Sequence, residues 1–326
     1  MKVLFMGTPD FAVPSLEKLI ECGHQVNGVI TQPDKPKGRG KAMAFSPVKE
    51  AALAHNIPVY TPAKINTPEG VSLVESIEAD VIVVAAFGQI LPKSILEMKK
   101  YGCVNVHSSL LPKYRGAAPI QWAVINGEEK SGVTTMLMDE GIDTGDILMV
   151  RETMLDAKET GGSLFDRLAV LGAELLIDTL KAIEEGTVTR TPQNHEESTY
   201  VGMLKKSHGQ LDFTKSALEL ERLIRGLNPW PSAFTSYNGK VIKIWDSEVV
   251  GSSELVKETG NEKYNEEYLS ALECGQVAAV TKSSFYVVTG KDLLKIVSIQ
   301  PEGKKKMDCD AYLRGYPVEE GAMLGK

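Results

Sequence analysis

An asparagine and a histidine two residues apart, Asn105 and His107, end an apolar stretch and lead into the glycine- and proline-containing segment from Ser108 to Pro119. In extended chain, side chains at i and i+2 leave the same face, so this amide and imidazole can grip one substrate atom together. A carboxamide NH₂ and an imidazolium both donate hydrogen bonds, which is what a developing oxyanion requires. Neither is a nucleophile in this setting. A carboxylate beside His107 would hold the ring and favour its cationic form. The acidic turn Asp139-Glu140-Gly141-Ile142-Asp143-Thr144-Gly145-Asp146 is its natural source, and spacing alone does not choose among Asp139, Asp143 and Asp146. A calcium loop is disfavoured, because the EF-hand spacing and its closing glutamate are missing.

Those residues need a sheet edge to sit on. The first two hundred residues alternate short β-rich runs with helical segments, the pattern of a parallel sheet covered by helices. Residues 2–6 read as a buried strand and 11–21 as the helix after it. Strands follow at 25–31 and 58–60, with a helix at 46–55 between them. The run Val81-Ile82-Val83-Val84-Ala85-Ala86 is apolar on both faces, as central parallel strands are. A short helix over 91–99 precedes a strand over 102–107, which puts Asn105 and His107 at the carboxyl end of a central strand, where open α/β sheets bind ligands. A helix at 117–125, strands at 133–139 and 147–152, and a long amphipathic helix at 163–185 complete this part.

The periodicity changes near residue 204. Residues 205–210 read as a linker, 216–227 as a helix, and the rest as β segments at 241–245, 276–281, 284–288 and 293–300, which suits a small barrel. Asn238-Gly239 is a strong hairpin signal, since both positions of a type I′ turn need positive φ. The polar segment 251–268 reads as an exposed insertion. The division expected is therefore 1–204 and 205–326.

With 326 residues, two domains are the natural first division, and 43% hydrophobic and 24% charged residues describe an ordinary globular chain. No apolar run approaches the length of a membrane span, and no cleavable leader opens the sequence, so a cytoplasmic protein with no membrane partner is expected. Cys22, Cys103, Cys274 and Cys309 lack CxxC spacing and a histidine-rich partner cluster, which points away from disulfides and structural zinc. A net charge of −7 argues against indiscriminate nucleic-acid coating but leaves room for local basic patches. One such patch is the loop from Gln32 to Lys41, in which Lys35, Lys37, Arg39 and Lys41 stand among prolines and glycines, ready to lie on a phosphate backbone. Lys304-Lys305-Lys306 is a second. Gly7-Thr8-Pro9-Asp10 lacks both GxGxxG and a Walker lysine, so a dinucleotide site is disfavoured.

Asn105-Val-His107, Ser109-Leu-Leu-Pro112, Arg115-Gly-Ala-Ala-Pro119-Ile-Gln121-Trp122 and Met138-Asp139-Glu-Gly-Ile-Asp143-Thr-Gly-Asp146 together resemble the folate-dependent formyltransferases. Phe5 to Pro14, Thr31 to Pro36 and Leu227-Asn-Pro-Trp-Pro-Ser-Ala-Phe234 narrow the resemblance to the branch whose acceptor is an aminoacyl-tRNA, and extend it over the whole chain. The resemblance implies a Rossmann-like, mostly parallel α/β domain followed by a smaller oligonucleotide-binding (OB)-like β-barrel that receives tRNA. It implies transfer of a formyl group from 10-formyltetrahydrofolate to methionyl-initiator tRNA, with Asn105, His107 and Asp143 as the catalytic set. It further implies folate contacts from Ser109, Leu110, Leu111 and Pro112, no metal, and tRNA contacts from Lys35, Lys37, Arg39 and Lys41; a monomer is expected. A formyltransferase for a nucleotide sugar or purine precursor would leave the second domain unexplained, and a non-enzymatic RNA-binding protein would leave the Asn105, His107 and Asp143 set unexplained.

Overall fold

The structure is a computed structural model that describes residues 1–37 and 42–325. Two compact units divide it: residues 1–119, 130–154 and 164–202 form the first, and residues 120–129, 155–163 and 203–326 the second. The chain thus changes unit at 202/203, two residues before the expected 204/205, and two shorter segments group with the second unit.

The first unit is a seven-stranded sheet flanked by helices. Its elements are β1 (Lys2–Gly7), α1 (Val13–Glu21), β2 (Gln25–Ile30), β3 (Lys35–Lys37), β4 (Ala42–Ala44), α2 (Pro47–Ala54), β5 (Val59–Tyr60), α3 (Pro68–Ser76), β6 (Val81–Ala85), α4 (Lys93–Leu96), β7 (Cys103–His107) and β8 (Arg115–Gly116). Then come β9 (Lys130–Leu137), β10 (Ile147–Met154), the long α6 (Gly161–Glu185) and β11 (Tyr200–Val201), while α5 (Pro119–Ile125), between β8 and β9 in the chain, groups from residue 120 with the second unit, as do the first three residues of α6. The strand order is β10-β9-β7-β6-β1-β2-β5, parallel from β7 to β5 and antiparallel from β7 through β9 to β10.

Strand β7 explains where a site can form. Val104 and Val106 point to one face, and Gly172 of α6 has no side chain because a Cβ there would press on Val106 and Val133. Cys103 points to the other face, into a core with Ile82, Val84, Ile95 and Leu96, where burial pushes its thiol up to about 12. Continuing along that same face toward the carboxyl end, the apolar side chains give way to Asn105 and His107. Helix α3 is absent from the sequence expectation, although Thr67-Pro68 marks its start: the Thr67 hydroxyl accepts from the Gly70 amide. Gly70 lowers helix propensity, but its backbone packs against the Ile65 carbonyl, where a Cβ would collide. The basic loop is not structureless: Lys35–Lys37 pairs antiparallel with Ala42–Ala44. Arg39 and Lys41 lie outside the described residues.

The second unit contains α7 (Ala217–Gly226), β12 (Ala233–Tyr237), β13 (Lys240–Val250), α8 (Ser252–Thr259), α9 (Glu266–Ser270), β14 (Val277–Val280), β15 (Phe285–Val288), β16 (Leu293–Pro301), β17 (Met307–Asp308) and α10 (Cys309–Gly315). Its antiparallel sheet runs β12-β13-β16-β15-β14, with β17 on β16. No β12–β14 pairing closes the ladder among the described residues, in keeping with the partly open form of OB barrels. The β12–β13 turn has Asn238 at φ 49° and Gly239 at φ 72°, the backbone a two-residue hairpin needs.

Two expectations fail here. The polar segment 251–268 is not a solvated insertion: α8 and the turn after it send Leu255 and Tyr264 into a core with Val250, Ala278, Tyr286 and Leu293. A few well-placed apolar residues suffice to anchor a segment whose composition is otherwise charged. Nor is 205–210 a free linker, since Gly209 packs against the Ser232 carbonyl and the Leu211 amide donates to Phe234 O at 2.9 Å. Composition alone hides such contacts, which involve backbone.

Candidate active site

Strand β7 has β6 on one side and β9 on the other, so its backbone is fixed by two ladders. Asn105 lies opposite Met136 and His107 opposite Thr134. Asn105 is 8% exposed and His107 6%. No hydrogen bond holds the Asn105 carboxamide among the described residues, so its NH₂ and carbonyl are left for a ligand.

His107 is differently placed. Its Nε2 lies 3.0 Å from the Tyr114 carbonyl oxygen. A carbonyl only accepts, so Nε2 carries a proton and donates it there. Nδ1 is the remaining ring position, and it faces Asp143 Oδ1 at 3.6 Å. That separation exceeds a direct hydrogen bond and suits an ion pair or an inserted polar atom. Asp143 Oδ2 accepts from the Gly116 amide at 2.8 Å. Both backbone positions that allow this are unusual. Asp143 sits at φ 53°, and Gly116 at φ 103°, where a Cβ would also collide with Val201 O.

Asp139 is used otherwise. Asp139 Oδ1 accepts from the Gly141 amide and the Thr144 hydroxyl, closing the turn on itself. Gly145 lets the chain pass under Leu137, whose carbonyl oxygen a Cβ would strike. The fold therefore brings Asp143, and neither Asp139 nor Asp146, to His107 within ion-pair reach among the described residues. A cavity of about 610 Å³ lies against the other arm of this turn, lined by Leu96, Tyr101, Leu137, Met138 and Glu140 among others. Neither Asn105, His107 nor any of Ser109 to Pro112 lines it.

The segment after His107 is tied down rather than mobile in form. Ser109 is buried, and its hydroxyl donates to Lys113 O at 2.7 Å. Thr134, fully buried, donates to Ser109 O at 2.7 Å and accepts from the Leu111 amide at 3.1 Å. Leu111 is buried, while Leu110 and Pro112 are half-buried. Thr199 fastens the far end, accepting from Tyr114 N at 2.8 Å through its hydroxyl and from Arg115 N through its carbonyl. Sequence reading did not find Thr134, Thr199 or Gln193. Thr134 sits in a strand of mixed polar and apolar residues, and only the fold sets it across from His107. Lys35 and Lys37 lie in β3.

Residues 1–180 match the formyl transferase family, and residues 203–317 match the formyl transferase C-terminal domain. The chain is 57% identical, over all 326 residues and all of the relative, to a methionyl-tRNA formyltransferase of Lachnospira eligens. It is 51% identical to that of Clostridioides difficile, with full coverage of both chains. The chain belongs to the methionyl-tRNA formyltransferase family. Among solved structures it is similar to the sugar 3N-formyl transferase WlaRD, crystallised with dTDP and 5-N-formyl-THF. That likeness has a TM-score of 0.66 at 23% identity, and covers 94% of this chain and 99% of that one; it speaks for the fold. For a methionyl-tRNA formyltransferase, the arrangement of an unpaired amide, a half-tethered imidazole and an aimed carboxylate at one strand end is chemically apt. Among the described residues no helix is long and apolar enough to cross a membrane, and no group of three His, Cys, Asp or Glu could hold a metal ion.

Proposed function

We propose that the chain formylates methionyl-initiator tRNA with 10-formyltetrahydrofolate as donor, and that Asn105, His107 and Asp143 carry the transfer. The family membership supports the reaction. The observation that carries the residue roles is the placement of His107 Nδ1 3.6 Å from Asp143 while its Nε2 is held by Tyr114 O.

The neutral methionyl amine attacks the formyl carbon, forming a C–N bond and pushing the carbonyl electrons onto oxygen. Asn105 donates to that oxyanion from its free NH₂, and His107 donates from Nδ1, the only ring position not already spent. Asp143 faces the same imidazole and takes the proton shed by the attacking nitrogen, directly or through water. The oxyanion then collapses, the bond to the folate N10 breaks, and N10 leaves with the proton that Asp143 took from the amine, returned directly or through water. Ser109 to Pro112 line the folate through exposed parts of Leu110 and Pro112 and through backbone groups, because the Ser109 hydroxyl is engaged.

The tRNA requires more surface than this site offers. Lys35, Lys37, Arg39 and Lys41 are assigned to the acceptor arm. In the second unit, Lys243 and Lys306 each stand 5.7 Å from the Trp245 ring centre, a basic and aromatic face of the kind that meets nucleic acid. The deciding assay offers labelled 10-formyltetrahydrofolate with charged initiator tRNA, charged elongator tRNA or small amines. Label is expected on the initiator alone; label on a small amine instead would reject the tRNA reading.

A further inference from the structure

Arg115 is 1% exposed, and no carboxylate lies within ion-pair distance of it among the described residues. A buried guanidinium needs acceptors on all sides, and here they are neutral. Nε and Nη2 both donate to Gln193 Oε1, at 3.1 and 2.7 Å. Nη1 donates to the Tyr200 hydroxyl at 3.1 Å, and His195 Nδ1 lies 3.3 Å from both Nη1 and Nη2. Because a guanidinium has no acceptor, that Nδ1 presents its lone pair.

Gln193 is itself 6% exposed, and the other end of its amide is equally committed. Nε2 donates to Asp143 O at 2.9 Å and to Gly145 O at 2.7 Å. The amide therefore has one orientation only: flipped, it would set NH₂ against the guanidinium and an oxygen against two carbonyls. These two bonds grip the backbone of the turn at the residue held in the left-handed conformation, φ 53°. The carboxylate of the same residue is fixed by the amide of Gly116, the next residue after Arg115.

We propose that Gln193 is a positioning residue for formyl transfer: with Arg115 fixing its amide, it holds the Asp143 turn so that the carboxylate faces His107. This rests on the assignment of Asp143 to the reaction. Gln193 touches no substrate and acts only through the turn. A purely structural role would be to satisfy Arg115, and the two roles separate on substitution. Gln193→Glu keeps an oxygen acceptor, now charged, for Arg115 but loses both donors to the turn. Gln193→Met keeps the volume and loses both ends.

The test measures steady-state formylation of charged initiator tRNA by the full chain, alongside thermal unfolding, for both variants and for Asp143→Asn. A misplacement of about an ångström in a reacting group costs on the order of 10- to 100-fold. The expected result is a kcat loss of that size in Gln193→Glu with the variant fully folded at the assay temperature, and both KM values within about twofold, since only interactions of the transition state are lost. Gln193→Met is expected to lose kcat to at least the same extent, with a lower Tm. Wild-type kcat in Gln193→Glu would overturn the proposal, as would losses that track Tm in both variants. Wild-type kcat in Asp143→Asn would instead reject the assignment of Asp143, whatever Gln193 does.

Discussion

Asn105 and His107 share a strand face, but the fold leaves them different freedoms. The amide is unclaimed, whereas the imidazole has one nitrogen tied to Tyr114 O and one turned to Asp143. In the proposed mechanism Asn105→Ala removes a donor that acts only on the oxyanion, so kcat should fall about 100- to 1,000-fold with KM little changed, the usual cost of one such donor. His107→Ala should lose at least as much, because it also removes the partner that Asp143 faces. Steady-state kinetics with both substrates varied will check this. A rise in KM at constant kcat would assign the two residues to ground-state binding.

At the scale of elements, the loop after β7 depends on a single threonine of β9. Thr134→Val preserves shape but leaves the Leu111 amide unpaired in the interior, at a cost of about 1–3 kcal/mol. Urea unfolding should register that loss, and the KM for folate should rise if residues 109–112 line its site. The β3–β4 pair is a separate element, to which the proposed function gives a separate task. Replacing Lys35, Lys37, Arg39 and Lys41 by alanine is expected to raise the KM for tRNA, increasingly so with salt, and to leave folate binding intact. An unchanged tRNA KM would remove these residues from the interface. Elements with strong local patterns, such as the apolar run of β6, the alternation in β7 and the helical period of α6, were legible in the sequence within a residue or two. Helix α3 and the anchored segment around α8 were not, because a few buried contacts outweigh their polar composition.

For the whole molecule, each unit carries its own core, and the second also carries a charged cluster under α8. Glu258 is pushed up by burial, but hydrogen bonds from Tyr286 and Lys295 outweigh this and hold it below its ordinary 4.5. A carboxylate with a lowered folded value binds fewer protons folded than unfolded. Its contribution is thus fully present above about pH 4.5 and is lost as pH falls through the folded value. The urea midpoint of the wild type should therefore drop on acidification below that pH, and Glu258→Gln should show a shallower drop. Equal slopes would mean that the cluster adds no pH-dependent stability.

The sequence alone determined the face shared by Asn105 and His107, the strand end they occupy and, through its motifs, the family. These are properties of short segments: alternation along a strand, an apolar run, a string of residue types. Its spacing could not choose among Asp139, Asp143 and Asp146. The resemblance pointed to Asp143, and in the tertiary structure Asp143 is the acid of this turn that faces His107, where a left-handed residue at 143, a glycine amide at 116 and a glutamine at 193 converge. Such convergence is decided by how distant segments pack. No local period records that Arg115, buried without a carboxylate, must draw its acceptors from a segment far along the chain.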